Sequence, residues 1–284
     1  MSLSVATRDC VRIPREDTAL KVSVRSLVGV LLATPFVALL VRDWYAFLAE
    51  RDTIGSRLAG IDYRLYTDAT RRFFEGGGFY HPWQLTGTYG VDGLPILYPP
   101  QAMALFAPFL VLPAIFWWAV PILVTTTLVV RWRPQPLSWP LIAACLWWPT
   151  TSIKIVAGNP AMWMTMFLAL GLIYRWPAAL LIWKPTVSPF ALVGLRDRRW
   201  WLVTALSFFP FSWLLPDYLL ALRNFASPSG PLYSIAEIPM LLLPAVAYLG
   251  RSRGRTTDEL LLTGTDPAPS GESVRNVAIA QGAT

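Results

Sequence analysis

Long apolar runs alternate along this chain with short polar segments, and this alternation restricts the possible folds more than any other feature. A membrane-spanning helix needs roughly 20 predominantly apolar residues, and several runs reach that length. Charged residues occupy only 14% of the 284 positions, whereas a soluble domain carries about 25%. The sequence therefore predicts an all-α, polytopic membrane helix bundle.

The basic residues indicate the orientation of this bundle, because they lie in short clusters at the ends of apolar runs. Cytoplasmic loops of membrane proteins carry such an excess of Lys and Arg. We therefore predict that both termini are cytoplasmic. The same distribution argues against nucleic-acid binding in spite of the net charge of +7. The clusters are Lys21 and Arg25, Arg131 and Arg133, Arg196, Arg198 and Arg199, and Arg251, Arg253 and Arg255.

Three parts follow from the order of polar and apolar residues. We predict a cytoplasmic N-terminal segment at residues 1–26, a membrane domain at residues 27–250, and a disordered cytoplasmic tail at residues 251–284, which is rich in Gly, Ser, Thr and Pro. The membrane domain contains about six spans and an extracytoplasmic loop at residues 50–100. The predicted spans are 27–49, the second part of 101–130, 137–153, 160–174, 200–222 and 232–250.

Residues 177–195 decide the remaining topology, because Lys184-Pro185 lies near the centre of this apolar run. If the run crossed the membrane, the basic clusters after it would face outward. The positive-inside distribution favours a re-entrant hairpin instead, which is permitted where protein or water covers the backbone. We expect such a hairpin to place Lys184 near the inner face, far from chemistry on the outer side.

The outer loop contains a predicted helix at residues 62–75. Apolar residues recur at three- and four-residue spacing, which makes one stripe, and the run Gly76-Gly77-Gly78 ends the helix. We expect this helix to lie on the outer membrane surface with Asp62 at its N-terminus. The stripe consists of Leu65, Tyr66, Ala69 and Phe73.

Several short motifs follow one another in a defined order between residues 27 and 201. D-Y-R-L-Y (62–66) follows the first span, F-Y-H-P (79–82) follows the glycine run, and Y-P-P (98–100), G-N (158–159) and K-P (184–185) come later. This ordered set resembles the polyprenol-phosphate-mannose-dependent mannosyltransferases of glycosyltransferase family 87, which have the GT-C membrane fold. The resemblance implies a GT-C-like bundle that transfers mannose, with inversion, from a polyprenyl phosphate to a lipid or glycan acceptor on the extracytoplasmic face.

Asp62 matches the position of the family's catalytic aspartate in the first outer loop. An inverting transfer from a lipid phosphate needs one base to take the proton of the acceptor hydroxyl, and no second acid, because the phosphate leaves as a stable anion. Asp62 is therefore the candidate base. The alternative is that Asp62 caps the helix by accepting backbone N–H groups.

The candidate substrate-binding residues each have an ordinary structural alternative. Lys154 either contacts the donor phosphate or snorkels from a helix end, and Lys184 either anchors its loop or contacts the prenyl phosphate. Asn159 is a structural or polar-lining residue of its turn. The remaining candidates are Arg64 at the donor's lipid phosphate or at membrane headgroups, Tyr66 and Tyr98 at a sugar ring or in an interfacial belt, and His81 at the acceptor or in a surface turn.

No cofactor is expected, and no metal site, because the chain has a single histidine and no metal-ligand spacing. The expected partners are the polyprenyl-phosphate sugar donor, the acceptor and membrane lipids. A transporter or flippase for a lipid-linked substrate is one rival interpretation, which would favour paired repeats and facing charges in mid-membrane, whereas the chain shows no internal repeat and most of its charge lies in loops. A non-catalytic scaffold with a GT-C-like fold is the other.

Overall fold

A computed structural model describes residues 24–49, 58–90, 94–226 and 236–251. The regular elements in these residues are helices, and the only strand-like pairings among them are two isolated bridges. Residues 1–23 and 252–284, which contain most of the predicted N-terminal segment and tail, lie outside the described residues. The all-α prediction is confirmed for the described part of the chain.

The described residues consist mainly of helices. Short 3₁₀ segments join several of them, at Pro100–Ala102, Ala107–Leu110, Pro136–Ser138 and Ser212–Leu214. The α-helices in chain order are α1 (Val24–Ala49), α2 (Ile61–Phe74), α3 (Pro82–Thr86), α4 (Met103–Phe106), α5 (Ile115–Trp132), α6 (Trp139–Trp147), α7 (Pro149–Ala157), α8 (Ala161–Tyr174), α9 (Arg198–Phe208), α10 (Leu215–Asn224) and α11 (Ile238–Leu249).

Two helices are long and apolar enough to cross a membrane alone. These are α1 and α5, whose most apolar stretches have mean hydropathies of 2.1 and 1.5. The bent segments that contain α6–α7 and α9–α10 pass the same criterion jointly, with bends of 58° and 65°. The described residues thus contain two to four candidate spans, as expected for a helical membrane protein, and the count of six stays a prediction.

The segment after α8 folds as a hairpin of two 3₁₀ arms, Trp176–Trp183 and Pro185–Gly194. The arms pack against each other and against α8, and the first arm also packs against α9. Proline contributes here because Pro177, Pro185 and Pro189 lack the N–H group that an α-helix requires. The chain therefore turns back at Lys184, as predicted, while the depth of this hairpin in a membrane stays a prediction.

Helix α8 forms the centre of the bundle, and α1 lies at its edge. All residues from 161 to 169 are buried, and α8 packs against α5, α11 and the hairpin. In contrast, only 6% of the apolar stretch of α1 is buried. Helix α1 packs along α6, and Gly29 lies so close to the Pro136 carbonyl that a Cβ atom would clash there.

Candidate functional site

Helix α2 presents Asp62 at its first turn. Gly60 is the N-cap residue with a φ of 68°, and its N–H group donates a hydrogen bond to the Val156 carbonyl at 2.9 Å. Asp62 is half-buried and lies inside the helix, so the alternative that it is the N-cap is wrong. The apolar stripe, which we expected at the outer membrane surface, packs into the core of the protein, where Tyr66 and Ala69 are buried.

The turn between α7 and α8 is built around Gly158. Its φ of 71° lies in the left-handed region that favours glycine. A Cβ atom at this position would lie 2.8 Å from Trp118 and 2.9 Å from Tyr63. The indole of Trp117 donates a hydrogen bond to the Gly158 carbonyl at 2.7 Å. The G-N motif therefore forms a turn that only glycine fits, clamped by the side chains of α5.

Asn159 follows in this turn and connects α2 to the start of α8. Its side-chain Oδ1 accepts a hydrogen bond from the Ala161 N–H group at 2.9 Å. Because a backbone N–H group can only donate, this bond fixes the orientation of the amide. The Nδ2 group must then face α2, where it donates to Asp62 Oδ2 at 2.6 Å. Asn159, only 4% exposed, thus holds the Asp62 carboxylate.

Lys184, at the tip of the hairpin, reaches the same group of residues. Its Nζ donates hydrogen bonds to the Tyr98 hydroxyl at 2.9 Å and to Asn159 Oδ1 at 3.4 Å. It also forms an ion pair with Glu237. The expectation that Lys184 would lie far from Asp62 is therefore wrong. A charge in an apolar run requires polar partners, and the hairpin supplies them by folding its tip inward onto the α7–α8 turn.

Glu237 is the carboxylate at which the two lysines of this region meet. It precedes α11 and is only 2% exposed. Lys154 of α7 forms the second ion pair with it, at 3.0 Å, and Thr150, one turn earlier in α7, donates a hydrogen bond to the Ala236 carbonyl at 2.6 Å. Lys154 therefore points into the protein, and the snorkelling alternative does not describe it.

We call these five residues and Tyr98 the charged cluster; its members are Asp62, Tyr98, Lys154, Asn159, Lys184 and Glu237. Two lysines share the single carboxylate of Glu237, so these three side chains carry a net charge of +1. Asp62 balances that charge across the neutral amide of Asn159. A buried charge is tolerated only with such partners, and loss of one partner leaves the other uncompensated.

The other predicted residues lie outside the charged cluster. Tyr66 is buried in the aromatic core, edge-on to Tyr98 with ring centroids 4.8 Å apart, and Arg64 is exposed. His81 begins α3 as its N-cap and stacks on Trp83 at 5.2 Å. Burial, with the positive charge of Arg72 as a second cause, lowers the pKa of His81.

Sequence reasoning did not identify Glu237, although a signal was available. An acidic residue in an otherwise apolar run is a functional candidate by the same rule that drew attention to Lys184. Glu237 is such a residue, since it lies within the predicted span 232–250. The charge of Lys184 in one apolar run could have been matched with the charge of Glu237 in the next.

Helix α7 also separates two cavities. One, of about 360 Å³, is apolar and lies between α5, α8 and α11, with Ile155 and Met240 in its wall. The other, of about 200 Å³, lies between α1 and α7 and contains Asp43 and Val156 in its wall. Ile155 and Val156 directly follow Lys154, so both cavities adjoin the helix that carries this lysine.

Comparison with known proteins found no protein-family model, no curated protein and no solved structure that matches this chain.

Proposed function

We propose that this chain is an integral membrane glycosyltransferase of the GT-C type, similar to the family 87 mannosyltransferases. It transfers a sugar, mannose by that resemblance, from a polyprenyl phosphate to a lipid or glycan acceptor on the extracytoplasmic face. One observation supports the proposal most. The candidate base Asp62 and the G-N, Y-P-P and K-P motifs meet in one hydrogen-bonded cluster, although 97 residues separate Asp62 from Asn159.

Asp62 has the geometry of a positioned base. Its Oδ2 accepts the hydrogen bond from Asn159, and Oδ1 forms no hydrogen bond with the described residues. In the proposed reaction the acceptor oxygen attacks the anomeric carbon of the sugar. Its proton passes to Asp62 Oδ1, and the bond to the phosphate oxygen breaks with its electron pair. A general base fixed in this way contributes about 10²- to 10⁴-fold to the rate.

The lysines supply positive charge where the phosphate leaves. Lys154 is the more accessible of the two, since its side chain is 24% exposed and that of Lys184 is 7% exposed. The ammonium group of Lys154 favours an anion at its exposed side, and such preorganised charge stabilises the developing phosphate. Lys184 instead holds Asn159 and Tyr98 in place. Of the two alternative roles considered for Lys184, this is the anchoring of its loop.

The test is a transfer assay on purified protein in liposomes, with radiolabelled polyprenyl-phosphate mannose as donor and cell-envelope lipids as acceptors. We expect Asp62→Asn to lower turnover at least about 10²-fold. Asp68→Asn is the matched control, because Asp68 is an exposed carboxylate on the same helix. The turnover of this variant should equal that of the wild type.

Three other results would each reject part of the proposal. Equal turnover of Asp62→Asn and the wild type would exclude Asp62 as the base. Absence of transfer in both, from correctly folded protein, would favour a scaffold. Movement of the labelled lipid across the bilayer without a new glycosidic bond would favour a flippase.

A further inference from the structure

Lysine is rare in this chain, and its distribution draws attention to Glu237. The 24 basic residues include only three lysines, Lys21, Lys154 and Lys184, and the rest are arginines. Two of the three lysines meet at one buried glutamate. Lysine presents a compact charge with three donor directions, whereas the arginine guanidinium is a planar fork. The cluster therefore uses the cation that can reach a carboxylate, a hydroxyl and an amide oxygen from one atom, as Lys184 does.

Glu237 is fixed in place by its backbone as well as by its ion pairs. It lies at the N-terminus of α11, where the helix dipole favours a negative charge. The hydrogen bond from Thr150 to the preceding carbonyl of Ala236 ties this point to α7. Glu237 is therefore a fixed anion, and Lys184 at the hairpin tip is drawn to it.

The arrangement separates the two anions of the cluster. Lys184 contacts the charged Glu237 on one side and the neutral Asn159 on the other. Without Glu237, the remaining anion within reach of Lys184 through the cluster is Asp62, and opposite charges attract strongly in a poorly solvated interior. Asp62 would then exchange its amide partner for an ammonium partner. A carboxylate that is paired with an ammonium ion is a weaker base.

We propose that Glu237 is a positioning residue: it holds the Lys184 amine in an ion pair and so leaves Asp62 bound by the neutral amide of Asn159. This role deepens the proposed function and depends on it for its effect on turnover. The contact pattern itself does not depend on the reaction, so it can be tested without any transfer.

The experiment compares Glu237→Gln with two double variants of equal charge. Glu237→Gln/Lys184→Gln and Glu237→Gln/Lys154→Gln both restore the net charge of +1, but only the first removes the ammonium group that competes for Asp62. We expect the single variant to lower kcat about 10²-fold. The first double variant should recover at least about tenfold of this loss, and the second should not recover. Glu75→Gln, at an exposed glutamate, is the control and should match the wild type.

A second readout needs no substrate. A hydrophobic carbodiimide reacts with the protonated form of a carboxyl group, and mass spectrometry of the Asp62 peptide measures the product. We expect labelling of Asp62 to fall severalfold in Glu237→Gln, to return in the double variant that lacks Lys184, and to stay low in the one that lacks Lys154. Size-exclusion chromatography establishes which variants fold. If Glu237→Gln alone does not fold, the comparison between the two double variants still tests the positioning role of Glu237.

The possible results separate the two proposals. If the wild type transfers no sugar, the proposed function fails, and the labelling pattern still decides the role of Glu237. If both double variants recover equally in kcat and labelling, Glu237 only balances charge and the positioning role is overturned. Wild-type labelling and turnover in Glu237→Gln would overturn it as well.

Discussion

The charges inside this protein and those on its surface are paired by different rules. On the surface, Asp68 pairs with Arg71 three residues away, and Arg42 pairs with its neighbour Asp43. In the interior, Lys184 pairs with Glu237 of a distant helix. Surface pairs are formed by residues that any helix would bring together, whereas interior pairs exist only when the whole bundle has assembled.

This difference shows which charges support the structure. Exposed ion pairs contribute about 0–1 kcal/mol, because water and salt screen them. Removal of one partner from a buried pair leaves the other charge uncompensated and costs about 3–5 kcal/mol. Substitutions that are chemically alike should therefore have very different effects in the two regions.

The largest effect is expected for Lys184→Met. This substitution removes the hydrogen bonds from Lys184 Nζ to the Tyr98 hydroxyl and to Asn159 Oδ1, and it removes one of the two cations at Glu237. We expect the free energy of unfolding to fall by about 3 kcal/mol, measured by denaturant titration in detergent micelles. Arg71→Met, at an exposed pair, is the matched control with a loss of less than about 1 kcal/mol. Equal losses for both would remove the distinction between interior and surface charges.

A smaller effect is expected for Asn159→Leu. Leucine removes the hydrogen bonds to Asp62 and to the Ala161 N–H group, and both polar groups stay in a poorly solvated place. We expect a loss of about 1–3 kcal/mol in the free energy of unfolding, measured in the same titration. Asn224→Leu removes a single hydrogen bond to the Gln84 carbonyl and should cost less. A stable Asn159→Leu variant would show that this amide does not hold the cluster together.

His81 is partly buried and therefore belongs fully to neither region. Its lowered pKa predicts that the free energy of unfolding depends on pH. Burial lowers its pKa below the ordinary value of 6.5, so the unfolded chain binds a proton more readily than the folded one. The contribution of His81 to the free energy of unfolding should therefore be complete above pH 6.5. It should be lost as the pH falls through 6.5 towards the lower pKa of the folded state. His81 is the only histidine, so His81→Asn should reduce the difference in unfolding free energy between about pH 7 and pH 5. An unchanged difference would assign the pH dependence to carboxylates.

The smallest effect is expected for Asp68→Asn. The pair with Arg71 is exposed on both sides, so the free energy of unfolding should change by less than about 0.5 kcal/mol. Thermal unfolding at low and high salt gives the measurement, and both conditions should agree with the wild type. A loss of unfolding free energy as large as that of Asn159→Leu would show that Asp68 behaves like a buried charge.

The sequence predicted those structural elements that depend on local residue patterns. The apolar stripe and the glycine run gave a helix at 62–75, and α2 extends over Ile61–Phe74. The basic clusters after the run with Lys184-Pro185 at its centre favoured a hairpin, and in the structure the prolines of this run exclude a continuous α-helix.

The contacts of the site depend on folding in three dimensions and could not be predicted in the same way. Asp62, Asn159 and Lys184 were each selected from motifs, but nothing in their spacing showed that they touch. The separation expected between Lys184 and Asp62 was wrong because it considered only depth along the membrane normal and ignored the inward fold of the hairpin tip onto Asn159. Glu237 was missed because its partners lie on other helices.

The late position of Glu237 in the chain has a consequence for biosynthesis. The ribosome makes Lys154 and Lys184 well before the carboxylate that neutralises both of them, and α11 follows that carboxylate. A nascent chain that ends before Glu237 thus contains both lysines but lacks the carboxylate that pairs with them, which favours retention of the lysines in water or at the translocon. Completion of the bundle waits for α11, and truncation just before Glu237 should produce a protein that quality control removes.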